Sequence, residues 1–250
     1  MGDIYLSIII PAYNEENRIS PTIRKIEAFL IHKRYGAEII VVDDGSSDNT
    51  AGVIEKLKIE YQNITLVRQP GNFGKGAAVK KGALLARGGI ILFSDADLST
   101  PIEEADKLAF LIESGSDVVF GSRSLPGSNV VVRQPFYRVL MGKVFNLVVW
   151  LLLGMSFKDT QCGFKGFSKK AASYIFCRQL IEGFAFDVEL IFIALKGGFK
   201  VREEPVSWYN SPDSRVSVLL SPLSMIAELV RIRVNYLKGS YAIEAKNNNS

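Results

Sequence analysis

The sequence has one histidine, two cysteines and no acidic residue between positions 118 and 158. His32 precedes Lys33 and Arg34 near the end of a predicted surface helix, with no serine or carboxylate motif around it. That excludes a Ser-His-Asp triad and a histidine-rich metal cluster. Chemistry is left to carboxylates, cations, backbone amides and metal. Cys162 and Cys177 cannot supply a disulfide framework or a four-ligand zinc site, and they read as free core thiols. With no recognisable signal peptide, this cysteine usage predicts a reducing, cytoplasmic setting. The most apolar stretch, residues 144–155, is interrupted by Asn146. Spanning a bilayer takes about 18–20 residues, so it reads as a core or interfacial helix.

What fills the acid-free window is basic and greasy: Arg123, Arg133, Arg138, Lys143 and Lys158 among Val, Leu and Phe. This predicts either a solvated face beside a core helix or a surface for an apolar anion such as a lipid phosphate. The net charge of +4 is modest, and no nucleic-acid partner is expected. At 250 residues, 48% apolar and 22% charged, the chain can form one sizeable α/β domain and is not disordered.

Short apolar runs alternate with helical periodicity. Strands are predicted at 5–10, 38–42, 64–67, 89–93, 117–120 and 200–208. Helices are predicted at 17–31, from a cap at Ser47 or Asp48 to Tyr61, and at 75–86, 102–114, 169–176, 186–195 and 222–237, with a long apolar helix or helix pair at 134–153. The pattern predicts an α/β fold, a mostly parallel sheet flanked by helices. Ligands of such sheets sit beyond the carboxyl ends of the strands. Polar clusters follow four predicted strand ends: Tyr13-Asn14-Glu15, Asp43-Asp44, Asp95-Ala96-Asp97 and Ser122-Arg123.

Asp95 and Asp97 stand two apart after a buried strand, so both carboxylates can converge on one point. Two hard oxygen ligands suit Mg²⁺ or Mn²⁺ completed by water and substrate phosphate. Of Asp43 and Asp44, one should orient the loop and the other accept hydrogen bonds from a ligand such as a nucleobase. Gly71-Asn72-Phe73-Gly74-Lys75-Gly76 fails the Walker and Rossmann patterns, leaving a helix N-terminus and a lysine near a nucleotide phosphate.

Together these clusters resemble the family 2 glycosyltransferases of GT-A fold. The residues that carry the resemblance are 11–15 (PAYNE), 41–48 (VVDDGSSD), 74–76 (GKG), 95–97 (DAD) and 121–123 (GSR). Residues 95–101 (DADLSTP), 159–165 (DTQCGFK) and 183–189 (GFAFDVE) look like the dolichyl-phosphate β-glucosyltransferase branch, sister to the dolichyl-phosphate mannose synthases. The resemblance implies that Pro11, Tyr13, Glu15, Val42 and Asp44 hold the nucleoside. It implies that Asp95, Ala96 and Asp97 hold diphosphate and metal, with Asp97 the direct ligand. Ser99 stands where mannose synthases often carry Gln. Mannose synthases also carry an Arg and a Lys in a loop after a Glu-x-Pro strand; here Glu204-Pro205-Val206 leads to Ser214-Arg215, so Arg215 matches the later cation, while Tyr209 or Asn210 stands near the earlier one. The implied donor is UDP-glucose or GDP-mannose, glucose favoured, and the acceptor a polyprenyl or dolichyl phosphate.

A phosphate acceptor is already an anionic nucleophile near neutral pH and needs no histidine. It needs cations to hold it beside the donor, and Arg123, Arg133, Arg138 and Arg215 are the candidates. The expected division is a transferase domain over 1–215, with a nucleotide half (1–123) and an acceptor half (124–215), then a C-terminal helix (216–245) and a tail (246–250). The apolar helices would lie on the cytosolic face of a membrane, pack on the domain or form a homodimer contact. Two alternatives stay open: transfer to a saccharide hydroxyl with Asp159 or Asp187 as base, and a non-catalytic nucleotide-binding protein.

Overall fold

The computed structural model describes residues 3–132, 136–209 and 221–242, with backbone alone at 136–138 and 221–223. Its first half alternates as the periodicity predicts. Strands β1 (Ile4–Ala12), β2 (Gly36–Asp43), β3 (Ile64–Arg68), β4 (Ile90–Ser94) and β5 (Val118–Ser122) are joined by four helices. These are α1 (Ile19–Leu30), α2 (Thr50–Glu60), α3 (Lys75–Leu85) and α4 (Glu104–Glu113). The N-cap of α2 is Asn49 rather than Ser47 or Asp48, though the Asp48 carboxylate accepts the Thr50 N–H at 3.0 Å from one residue further out.

The second half holds β6 (Asn129–Val130), α5 (Phe136–Leu153), β7 (Phe164–Ser168), α6 (Lys169–Phe176) and α7 (Phe186–Lys196). β8 (Val201–Pro205), β9 (Ser207–Trp208) and α8 (Ser221–Leu237) follow. The main sheet has the order β3-β2-β1-β4-β7-β5-β8, and β6 and β9 form a separate parallel pair. The expected strand 200–208 is therefore two strands in two sheets, divided at buried Val206.

β7 is a strand the periodicity misses, because Lys165 and Gly166 interrupt its apolar run. It lies antiparallel between β4 and β5, while every other pairing in the sheet is parallel. This reversal positions the site. The segment that enters β7, residues 159–163, arrives at the edge where β1, β2, β4 and β5 end.

Two apolar layers cover the sheet. One gathers β4, β5 and β7 residues such as Phe93, Phe120 and Phe167 with α6, α7 and the inner faces of α5 and α8. The other packs α1, α2 and α4 against Ile8, Leu92 and Phe164. Cys162 is buried in the second layer, and burial pushes its thiol up to about 11, as a core thiol requires. Cys177 departs from expectation: it follows the end of α6 and is exposed.

Candidate active site

The β4 end carries the acid pair. Asp95 continues the β4–β7 ladder by donating its N–H to Gly163 O at 3.1 Å, and its carboxylate lies against Gly163. A Cβ there would overlap the Asp95 carboxylate, so only glycine leaves room for the acid where it stands. Lys75, the first residue of α3, reaches Asp95 Oδ1 at 2.6 Å over the ring of Phe93. Asp97 Oδ1 accepts the Ser99 N–H at 2.9 Å. Leu98 between them holds φ 46°, a conformation costly for a branched-chain residue, and donates its N–H to Asp95 O. Burial, then the charge of Asp95, pushes the Asp97 carboxyl up.

Three ion pairs surround this motif. Arg123, at the β5 end, grips Asp159 with Nε at 2.6 Å and Nη2 at 2.7 Å, and its backbone N–H donates to the same carboxylate. Burial alone would raise Asp159, but the Arg123 charge and hydrogen bonds, with Lys165, hold it below the usual range. Trp208 backs the guanidinium at 5.4 Å. Lys165, fully buried on β7, pairs with Asp187 Oδ1 at 2.7 Å. Burial pushes the Asp187 carboxyl up against the pull of Lys165 and Lys75. Lys75 is the third cation; burial would lower it, yet Asp95 and Asp187 raise it. Asp95, Asp97, Asp159 and Asp187 thus face Lys75, Arg123 and Lys165, leaving one negative charge in excess.

That excess fits a cation. Among the described residues no cluster of three or more His, Cys, Asp or Glu could hold a metal ion. Two half-buried hard carboxylates, Asp95 and Asp97, suit a magnesium-like ion that takes its remaining ligands from water and substrate phosphate. The residues present fit such an ion.

The helix-terminus reading of residues 74–76 is corrected. Gly76 and Ala77 donate their N–H groups to Glu182 O at 2.7 and 3.3 Å, so these amides do not face a phosphate. A Cβ at Gly76 would meet Ile181 O and the Phe186 side chain at 2.7 Å. The glycines admit a close loop; Lys75 alone points to the acids.

The nucleoside candidates divide. Tyr13 is exposed at the end of β1, and Glu15 clasps Arg18 with both oxygens at 2.6 Å. The side chains of Pro11, Val42 and Ala96 are buried, and Ala96 O accepts from Thr22 Oγ1. Asp44 accepts from Gln69 Nε2, Phe73 N and Gly74 N at 2.7–2.9 Å, and so fastens the loop after β3. Asp43 lines an open groove of about 520 Å³ with Gly45, Ser46, Arg68, Gln69 and Pro70. Gly45, at φ 70°, lets this turn approach Gly71 so closely that a Cβ would stand 2.5 Å from its carbonyl carbon.

Arg133 and Arg215 lie outside the described residues, as do Asn210 and the side chain of Arg138. Sequence reasoning gave no role to Lys165 or Asn14. Asn14 Oδ1 accepts from Ser47 N and Asp48 N, tying the β1 and β2 loops together. The signal for Lys165 was its intrusion between two phenylalanines.

A glycosyltransferase of GT-A type is the class that this sheet defines. The chain belongs to glycosyl transferase family 2, whose model matches residues 7–176. A dolichyl-phosphate beta-glucosyltransferase of Dictyostelium discoideum is 37% identical over 98% of this chain and 79% of its own length. The protein of the same description from Saccharomyces cerevisiae is 35% identical over 96% and 77%. Among solved structures, glucosyl-3-phosphoglycerate synthase from Mycobacterium tuberculosis, in complex with Mn²⁺, UDP-glucose and phosphoglyceric acid, superposes with a TM-score of 0.62. It is 19% identical, over 97% of this chain and 81% of that one.

Proposed function

We propose that this enzyme transfers glucose from UDP-glucose to dolichyl phosphate, or a related polyprenyl phosphate, with inversion at the anomeric carbon. One observation carries the choice of acceptor. The two acids that could activate a hydroxyl, Asp159 and Asp187, are each committed to a buried ion pair. A sugar hydroxyl needs a base. A phosphate monoester, with a second pKa near ~6, does not. Over almost the whole chain, relatives named for dolichyl phosphate and β-glucosyl transfer support the same reading and favour UDP-glucose over GDP-mannose.

In this reading Tyr13 and the groove beside Asp43 receive the nucleoside, with Asp44 holding the groove wall. An acceptor phosphate oxygen attacks the anomeric carbon from the face opposite the diphosphate. The new C–O bond forms as the bond to UDP breaks, and its electron pair leaves on the diphosphate oxygen. Mg²⁺ or Mn²⁺, held by Asp95 and Asp97, would neutralise the charge that grows on that leaving group. Lys75 adds a fixed positive charge beside Asp95.

Two anions must be brought together, and among the described residues the Arg123 guanidinium binds Asp159 through Nε and Nη2 alone, which leaves guanidinium N–H groups for the acceptor. Arg133, Arg138 and Arg215 are proposed to join it. Their support is placement along the chain: β6 and β9 pair side by side, and the segments carrying Arg133 and Arg215 follow them within a few residues. Among the described residues no helix is long and apolar enough to cross a membrane. The lipid is therefore proposed to be met at a surface, on the outer face of α5.

The test is acceptor competition with labelled UDP-glucose and Mg²⁺ or Mn²⁺. Dolichyl phosphate is expected to take the label, and a hundredfold excess of free saccharides to leave the rate unchanged. Label passing to a saccharide, or to dolichyl phosphate from GDP-mannose alone, would overturn the reading.

A further inference from the structure

We propose that Lys165 is a positioning residue: through Asp187 it fixes Lys75, and through Lys75 the carboxylate of Asp95. The inference rests on the transfer reading above, and goes beyond it by assigning a role to a residue that cannot touch substrate.

Lys165 has no exposed surface. Register sets it opposite Phe93 on β4, two residues before Asp95. Its Nζ is fastened twice, to Asp187 Oδ1 at 2.7 Å and to Cys162 O at 2.5 Å. At the other end, Lys75 stands 2.6 Å from Asp95 Oδ1, flanked by the rings of Phe93 and Phe186 at 5.3 and 5.9 Å. Asp187 follows Phe186 and acts electrostatically on both lysines. The four groups form an alternating series: Asp95, Lys75, Asp187, Lys165.

A buried ion pair is a poor source of stability, since an apolar pair of similar volume often does as well or better. Fold stability therefore gives little reason for a lysine in the middle of a buried strand. Position gives one. Without Lys165, the buried carboxyl of Asp187 loses its ion-pair partner and takes up a proton, as the neutral Asn of the double variant imitates, so Lys75 loses one of the two acids between which it is held. With Lys165 in place, Lys75 is balanced between two acids and stays where a donor diphosphate arrives.

The experiment compares Lys165→Gln, Lys165→Arg and the double variant Lys165→Gln/Asp187→Asn with wild type, in the dolichyl phosphate assay and in thermal unfolding. The double variant keeps a hydrogen-bonded neutral pair and is expected to retain the wild-type melting temperature. Its kcat should nevertheless fall by about tenfold or more, with KM for UDP-glucose within about twofold, the signature of an interaction made chiefly in the transition state. Lys165→Arg should recover part of the kcat lost in Lys165→Gln. Folded Lys165→Gln with wild-type kcat, or a double variant that regains kcat together with stability, would overturn the proposal. Wild-type protein inactive on dolichyl phosphate would instead overturn the reading beneath it.

Discussion

Asp95 and Asp97 are legible in the sequence because their signal is local: two acids, one residue apart, after a fully buried strand. Gly163 and Lys165 act on the same point but lie about 70 residues onward, just before and within β7, and the sequence around them does not say which acids they meet. Gly163→Ala tests this contact. The new Cβ would displace Asp95, so transfer should fall by about a hundredfold or more, the scale of losing an electrostatic catalytic group. Circular dichroism should stay unchanged. Glu38 is a second buried acid whose role emerges only in the fold. It accepts from Ser7 Oγ at 2.6 Å and from Arg87 N, Nε and Nη2 at 2.7–2.9 Å, clamping β1 and β2 to the turn before β4. Burial would raise its carboxyl, but Ser7 and Arg87 hold it below the usual value of 4.5. A carboxyl so depressed stabilises the fold above its unfolded-state pKa, and this is lost as pH falls through the folded one. Glu38→Gln should cost about 1–3 kcal/mol in urea melts at pH 7. The gap from wild type should narrow below pH 4.5.

At the scale of elements, apolar periodicity located every main-sheet strand except β7, and the helices to within a few residues. β7 was illegible because a strand that buries a lysine and a glycine breaks the rule by which buried strands are found. Its antiparallel insertion could not be read from local pattern either. α5 is the opposite case, an apolar helix whose sequence left two fates open. Phe145, Val149 and Leu153 face the core with Leu229 and Ile232 of α8. Leu140, Val144, Leu147, Trp150 and Leu151 face outward and are exposed. An apolar stripe that no other described residue covers, on a helix that among the described residues is not long and apolar enough to cross a bilayer, suits a membrane interface. Flotation with anionic liposomes is expected to carry the wild-type protein upward. Val144→Glu/Leu151→Glu should stay at the bottom with its melting temperature within about 2 °C, as surface substitutions cost little. Wild-type protein that stays at the bottom and elutes as a dimer would assign the stripe to self-association.

Across the whole molecule, one edge of one sheet collects everything the chemistry needs. The ends of β1 and β2 shape the groove proposed for the nucleoside, the end of β4 carries the acids, and the end of β5 carries Arg123 with its partner Asp159. α7 and β7 supply the buried charges behind them. The convergence of strand ends was legible from alternation alone, whereas the pairing of each cation with its own acid was not. That pairing engages Asp159 and Asp187, the two acids weighed as a base, and it is what favours a phosphate acceptor over a hydroxyl acceptor. The most direct test is the product itself. Wild-type protein supplied with UDP-glucose and dolichyl phosphate should yield a lipid-linked glucosyl phosphate of β configuration, assigned by NMR coupling at the anomeric proton. An α-linked product, or glucose joined to a saccharide hydroxyl, would contradict the account.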